Sequence, residues 1–314
     1  MESKGLISAA KWREFCSDTV PLLRLPKYTF TTAETLTATA EVAHYGLPDL
    51  AAAAHWTLRD STGRSIGSGR LPNKPVPTGT LTNLGDLSIE LKSVSAPAKL
   101  TLELALDSTE ERNSYTIWVY APAVTTSSPQ ITIRREWNDE TRSLLAGGAT
   151  VLLLPEPKSL PKSIEGSFAP DFWNYGMFKG FAIERKLPIA PGTLGILTDP
   201  AHPALATFPT DSHSNWQWFH LMMNSRGLIL DTLPPEYRPI VQVIDNFERA
   251  HRLGVVMEAR AGKGRLLICT IDLPGQQDKP EARQLLHSLV TFMESPAFAP
   301  VHTLDNAALT GILR

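Results

Sequence analysis

TLTATAEVAHY, residues 35–45, sets polar residues at 35, 37, 39 and 41 against apolar ones at 36, 38, 40 and 42. A period of two places each set on its own face of an extended chain, so the stretch reads as a strand with one face buried. The same rhythm recurs in AAHWTLRD (53–60), LTNLGDLSIEL (81–91), KLTLELALD (99–107) and SYTIWVYAP (114–122). STGRS (61–65) is a turn after the second strand, and Gly85-Asp86 is a turn signal in the third. Short strands at spacings of about ten residues or more, with polar turns between them, predict an antiparallel β-sandwich. Its span, 28–122, suits an immunoglobulin-like domain. Trp56 and Trp118 lie inside the alternation and are expected in the core or between the sheets.

The pattern changes after the polar linker AVTTSSPQ (123–130). ITIRREW (131–137) reads as a strand. NDETRSLLAGG (138–148) reads as a helix that Asn138 caps and Gly147-Gly148 ends. ATVLLLP (149–155) is a continuous apolar run, as expected of a strand buried on both faces. Further strands are TLGILTD (193–199), LILD (228–231), IVQVID (240–245), GVVMEAR (254–260) and GRLLICTID (264–272). The last two are joined by a hairpin turn at 262–264. NWQWFHLMMNS (215–225) and KPEARQLLHSLVTFMES (279–295) have apolar residues at helical spacing. Apolar strands among helices predict an α/β domain over 131–296 with a mainly parallel sheet and an antiparallel edge. Residues 1–27 are then an N-terminal extension and 297–314 a C-terminal tail.

A length of 314 residues suggests two domains or one large one. A net charge of −2, with scattered Lys and Arg, supplies no basic surface for nucleic acid or anionic lipid. No apolar run approaches the roughly 18–20 residues that span a bilayer, and MESKGLISAAKWREF has no apolar core of a secretory signal. The two cysteines, Cys16 and Cys269, make neither a disulfide framework nor a metal knuckle.

No catalytic constellation stands out. A hydrolase nucleophile on an α/β sheet sits on a sharp turn flanked by glycine, and no G-x-S-x-G occurs. Cys269 has Ile268 and Thr270 as neighbours, so an amidase using Cys269 with His251 or His287 is a remote alternative. AGGAT (146–150) and AGKGR (261–265) do not join a strand to a following helix, as a phosphate cradle requires. No His or Cys pair has metal-ligand spacing, and no cofactor is expected. What remains is FPTDSHSNWQW (208–218) and, in PDFWNYGMF (170–178), a second mix of rings and amide. Trp173, Asn174, His213, Asn215, Trp216 and Trp218 are residue types that stack on sugar rings and hydrogen-bond hydroxyls. They are the candidate ligand-binding residues; packing of the same rings against the sheet is the competing reading.

Several peptide runs carry a family resemblance. ESKGLISAAKWREFCSDTVPLLRLPKYTF (2–30) resembles the stretch that leaves the catalytic barrel of β-galactosidase-like family-two glycoside hydrolases. NSYTIWVYAP (113–122) resembles the closing strand of their immunoglobulin-like domain. ITIRREW, LLLP, FAPDFWNYGMF, LGILTDPAHPALATFPTDSHSNWQW, PIVQVIDNF and GKGRLLICTIDL resemble their C-terminal α/β domain. That domain is similar to a flavodoxin or class I amidotransferase fold without the nucleophile. The resemblance implies a non-catalytic accessory portion with a structural or carbohydrate-binding role. Its implied partners are a catalytic glycosidase domain, a second copy of the chain, or carbohydrate. The family's jelly roll, barrel and catalytic glutamates have no counterpart in these residues. The family also implies a periplasmic or extracellular location.

Overall fold

In the computed structural model, residues 4–170 and 174–314 are described. The protein is multidomain and β-rich: two compact units, Met1–Pro122 and Ala123–Arg314, each form around their own sheets.

The first unit contains α1 (Ala9–Arg13) and the strands β1 (Thr19–Arg24), β2 (Thr29–Thr31), β3 (Thr35–His44), β4 (Leu50–Arg59), β5 (Ser65–Val76), β6 (Thr80–Glu90), β7 (Ala98–Leu106) and β8 (Arg112–Tyr120). They make a three-stranded sheet, β1-β3-β6, and a five-stranded sheet, β2-β8-β7-β4-β5. All pairings are antiparallel except β2 with β8. The period-two pattern explains the core. Leu36, Ala38, Ala40 and Val42 of β3 are buried, as are Leu100, Leu102, Leu104 and Leu106 of β7, and they join one cluster. Trp118 is buried in β8. Trp56 is partly buried and lies across Gly69, its cross-strand partner. A Cβ at Gly69 would meet the indole Nε1 at 2.6 Å, so glycine is what lets the ring lie flat there.

Three details differ from the sequence reading. The sandwich begins before residue 28, because Thr19–Arg24 pairs along β3. A strand unforeseen in the sequence, β5, contains Pro72 and Pro75; it pairs with β4 alone, and an edge position tolerates the missing N–H donors. Gly85-Asp86 is not a turn. It lies inside β6, where the register slips opposite Ala40 and Glu41 and Gly85 takes φ 137°. That is a bulge, which needs the same backbone freedom as a turn.

The second unit contains β9 (Thr132–Arg134), α2 (Asp139–Ala146), β10 (Thr150–Leu153), β11 (Ser163–Glu165), α3 (Tyr175–Glu184), β12 (Thr193–Thr198), α4 (Phe219–Met223), β13 (Arg226–Ile229), β14 (Val241–Asp245), β15 (Arg252–Ala261), β16 (Gly264–Cys269), α5 (Pro280–Glu294) and α6 (Asn306–Leu313). The strands form one mixed sheet of eight. The expected mainly parallel sheet is corrected. Only β9-β10-β16 run parallel, while β16-β15-β13-β11 and β12-β14-β15 pair antiparallel. The hairpin at 262–264 therefore lies within the sheet, and β15 pairs with β13, β14 and β16. Apolar runs report burial on both faces but carry no information on strand direction.

Local signals set the ends of the helices. Asn138 Oδ1 accepts from the Thr141 N–H at 3.0 Å, and Asp139 and Glu140 occupy the first turn of α2. Residues 297–314 are not a tail. Asp305 caps α6 by accepting from the Ala308 N–H at 2.8 Å, and Leu309, Ile312 and Leu313 join Val151, Leu153 and Ile268 in the core. Trp137 Nε1 donates to Thr310 Oγ1 at 2.9 Å. Among the described residues no helix is long and apolar enough to cross a membrane.

Candidate functional site

The segment between β12 and β13 holds most of the ring-and-amide residues singled out in the sequence. The two asparagine candidates serve as helix caps. Asn215 Oδ1 accepts from the Gln217 N–H at 3.2 Å, capping the 3-10 turn Trp216–Trp218, and its Nδ2 donates to Asp211 at 2.9 Å. Asn174 does the same for α3, its Oδ1 accepting from the Met177 N–H at 3.1 Å. His213 is exposed and bridges to Leu197 of β12. Trp173 lies outside the described residues.

The two tryptophans of this turn have opposite fates. Trp218 has no exposed surface; it donates from Nε1 to Thr210 Oγ1 at 2.8 Å and meets Phe208 edge-on at 5.3 Å. A ring so enclosed offers no face to a ligand. Trp216 is 48% exposed. Its ring lies 5.1 Å from Phe168 and 6.3 Å from Phe219, and Phe168 and Phe219 are 5.4 Å apart. These three rings form one surface patch. Phe219 is 38% exposed and Met223, one turn further on, is 49% exposed. The spacing 216, 219, 223 is that of one helix face, and it was legible in the sequence. Phe168 was not, because it arrives from a distant loop.

Beside the patch, His220 Nδ1 lies 2.7 Å from Oε1 of Glu281, a carboxylate in the first turn of α5 that is 1% exposed. The Phe219 ring meets the imidazole edge-on at 5.1 Å. The pair ties the aromatic turn to α5 and leaves the second ring nitrogen unassigned by this contact.

Burial weighs against the cysteine-based alternative. Cys269 is fully buried in β16, and burial pushes its thiol up to about 12. His251 Nδ1 lies 2.6 Å from Asp231, and His287 Nδ1 lies 2.7 Å from the Thr125 carbonyl. Burial that raises a thiol pKa disfavours the thiolate with which it would attack. Among the described residues no cluster of three or more His, Cys, Asp or Glu is arranged to hold a metal ion.

Two family profiles match most of each unit. Domain of unknown function (DUF8487) matches residues 132–314, and Domain of unknown function (DUF8488) matches residues 34–121. The chain belongs to the DUF8487 family. No curated protein matches it. Among solved structures, an alkylpurine DNA glycosylase of Pseudomonas fluorescens bound to abasic-site DNA is 11% identical, with 33% of this chain and 31% of that one aligned at a TM-score of 0.28. A protein provisionally called a β-galactosidase, from Bacteroides fragilis, is 11% identical over 42% of this chain and 24% of its own, at 0.24. A cycloisomaltooligosaccharide glucanotransferase of a Paenibacillus species, complexed with cycloisomaltoheptaose, is 10% identical over 46% and 21%, at 0.27. The chain thus spans less than a third of each of these proteins. Likenesses of this strength carry no argument about function.

Proposed function

We propose that this chain is a non-catalytic accessory portion of a glycoside-hydrolase system, and that its Phe168–Trp216–Phe219 patch contacts carbohydrate. The observation that carries the reading is the half-exposed Trp216 indole held between two other rings. An aromatic ring with about half of its surface open to water, and held by neighbouring rings, can stack on the apolar face of a pyranose at little entropic cost. Contact with one ring of this kind corresponds to millimolar affinity, about −4 kcal/mol. The peptide resemblance to β-galactosidase-like enzymes supports the same reading. So does the sandwich, whose β1-β3-β6 and β2-β8-β7-β4-β5 sheets fit an immunoglobulin-like arrangement. The flavodoxin-like description suits the second unit only over β9-β10-β16. Titration with galactosides and glucuronides should quench tryptophan fluorescence saturably, and Trp216→Ala should remove the response. Quenching that survives Trp216→Ala would place the sugar elsewhere.

A second reading rests on α3. Met177, Phe178, Phe181 and Ile183 of this helix are all more than 40% exposed, and Leu187 and Ile189 follow in the same state. An apolar helix surface of this kind marks a contact with another protein surface. In this reading α3 docks on a catalytic glycosidase domain or on a second copy of the chain. Phe181→Asp should then abolish concentration-dependent association in light scattering; a chain that is monomeric at every concentration and binds no such domain counts against it.

A further inference from the structure

The aromatic patch has a polar edge. His220 follows Phe219 on α4, and its imidazole lies edge-on to the Phe219 ring at 5.1 Å. Phe219 in turn meets Phe168 and Trp216. An imidazole therefore adjoins the three rings.

Glu281 fixes that imidazole from one side. Its carboxylate is 1% exposed, and its Oε1 lies 2.7 Å from His220 Nδ1. A carboxylate only accepts, so Nδ1 carries a hydrogen and donates it. The helix that carries Glu281 is itself fastened: Gln284 Nε2 donates to the Thr207 carbonyl at 2.7 Å and Ser288 Oγ to the Ala204 carbonyl at 2.8 Å.

The second ring nitrogen is in the opposite situation. The His220 side chain keeps 41% of its surface open. Its Nε2 has no hydrogen-bond partner among the described residues and is not buried. With Nδ1 committed, Nε2 is an acceptor on the neutral ring and a donor on the charged one. A hydroxyl suits both forms, because it can donate and accept.

A pyranose presents an apolar face of C–H groups and a rim of hydroxyls. Its recognition needs a ring for the face and a fixed polar atom beside that ring. The Trp216 and Phe219 rings with His220 Nε2 supply that combination within one short stretch of chain.

We propose that His220 is the hydroxyl-recognising residue of the patch: a pyranose lying on the Trp216 and Phe219 rings hydrogen-bonds through one hydroxyl to His220 Nε2. The inference rests on the carbohydrate reading of the patch and deepens it. Stacking alone accepts any sugar with an open C–H face, whereas a hydrogen bond reads the configuration at one carbon. Discrimination among sugars therefore falls to His220.

The test uses the full chain and tryptophan fluorescence, with methyl β-galactoside, methyl β-glucoside and their monodeoxy analogues as probes. In the parent, one deoxy analogue should bind about fivefold more weakly than the glycoside it derives from, the worth of one hydrogen bond. His220→Phe keeps a ring beside Phe219 and removes the nitrogen, so it should erase that difference while the remaining quenching still depends on Trp216. Should His220→Phe not fold because the buried Glu281 carboxylate loses this partner, the variant that adds Glu281→Gln, which removes the buried charge, is read in its place. No saturable quenching by either glycoside in the parent, or quenching that survives Trp216→Ala, overturns the patch reading and this one together. Quenching that Trp216→Ala removes, but with no deoxy preference or with one that persists without the imidazole, overturns the role of His220 and leaves the patch standing.

Discussion

Trp218 donates its indole N–H to Thr210 Oγ1 at 2.8 Å across the same turn that leaves Trp216, two residues earlier, half open to water. One ring fastens the segment to the core, and the other is presented by it. The two substitutions should therefore separate stability from surface chemistry. Trp218→Ala should cost roughly 3–5 kcal/mol by opening a cavity and removing the indole hydrogen bond to Thr210. Trp216→Ala should cost less than about 1 kcal/mol. Urea unfolding of the two variants checks this; equal losses would mean that Trp216 also anchors the turn.

The thiols should differ in the same way. Cys16 is exposed and Cys269 is buried, with its thiol pushed up to about 12. Iodoacetamide at pH 8 should label one cysteine in the folded protein and both after denaturation. Mass spectrometry of the labelled peptides reads the outcome, and fast labelling of Cys269 would reopen the amidase reading.

Glu258 and His202, both partly buried, give stability a pH dependence whose sign follows from the directions of their pKa shifts. The folded pKa of Glu258 is raised, so its contribution is full below the unfolded carboxyl pKa and is lost as pH rises through the folded value. The folded pKa of His202 is lowered, so its contribution is full above the unfolded imidazole pKa and is lost as pH falls through the folded value. Glu258→Leu should accordingly gain stability over the parent at pH 7 relative to pH 4. His202→Phe should flatten the loss between pH 7 and pH 5. Denaturation midpoints across that range test both signs.

Removing the last helix should unfold the second unit. Leu309 and Ile312 are buried with Val151 and Ile268, and Trp137 reaches Thr310. Leu309→Ala should cost about 2–5 kcal/mol, and deletion of 306–314 should expose Trp137, visible as a red shift of fluorescence.

At β5 a single methyl group should be felt. Gly69→Ala would place a Cβ 2.6 Å from the Trp56 indole. Overpacking of this sort costs about 1–3 kcal/mol, and Trp56→Leu in the same chain should restore most of the loss.

Much of the architecture is local information. The two-residue period of 35–45 marks the buried face of β3 residue by residue, because alternation is a property of one extended chain. Asn138 announces the start of α2, because a cap acts within three residues. The candidate site was legible only in its helical part, at Trp216 with its one-face spacing to Phe219 and Met223. The tertiary structure decided the rest. Strand direction in the second sheet, the bulge at Gly85, the place of β1 in the sandwich and the burial of α6 all depend on partners far away in the chain. The contrast between Trp216 and Trp218 is of the same kind. Both are tryptophans of one short turn, and only the packing of Phe208 and Thr210 on one side and Phe168 on the other decides which ring the core encloses and which one water reaches.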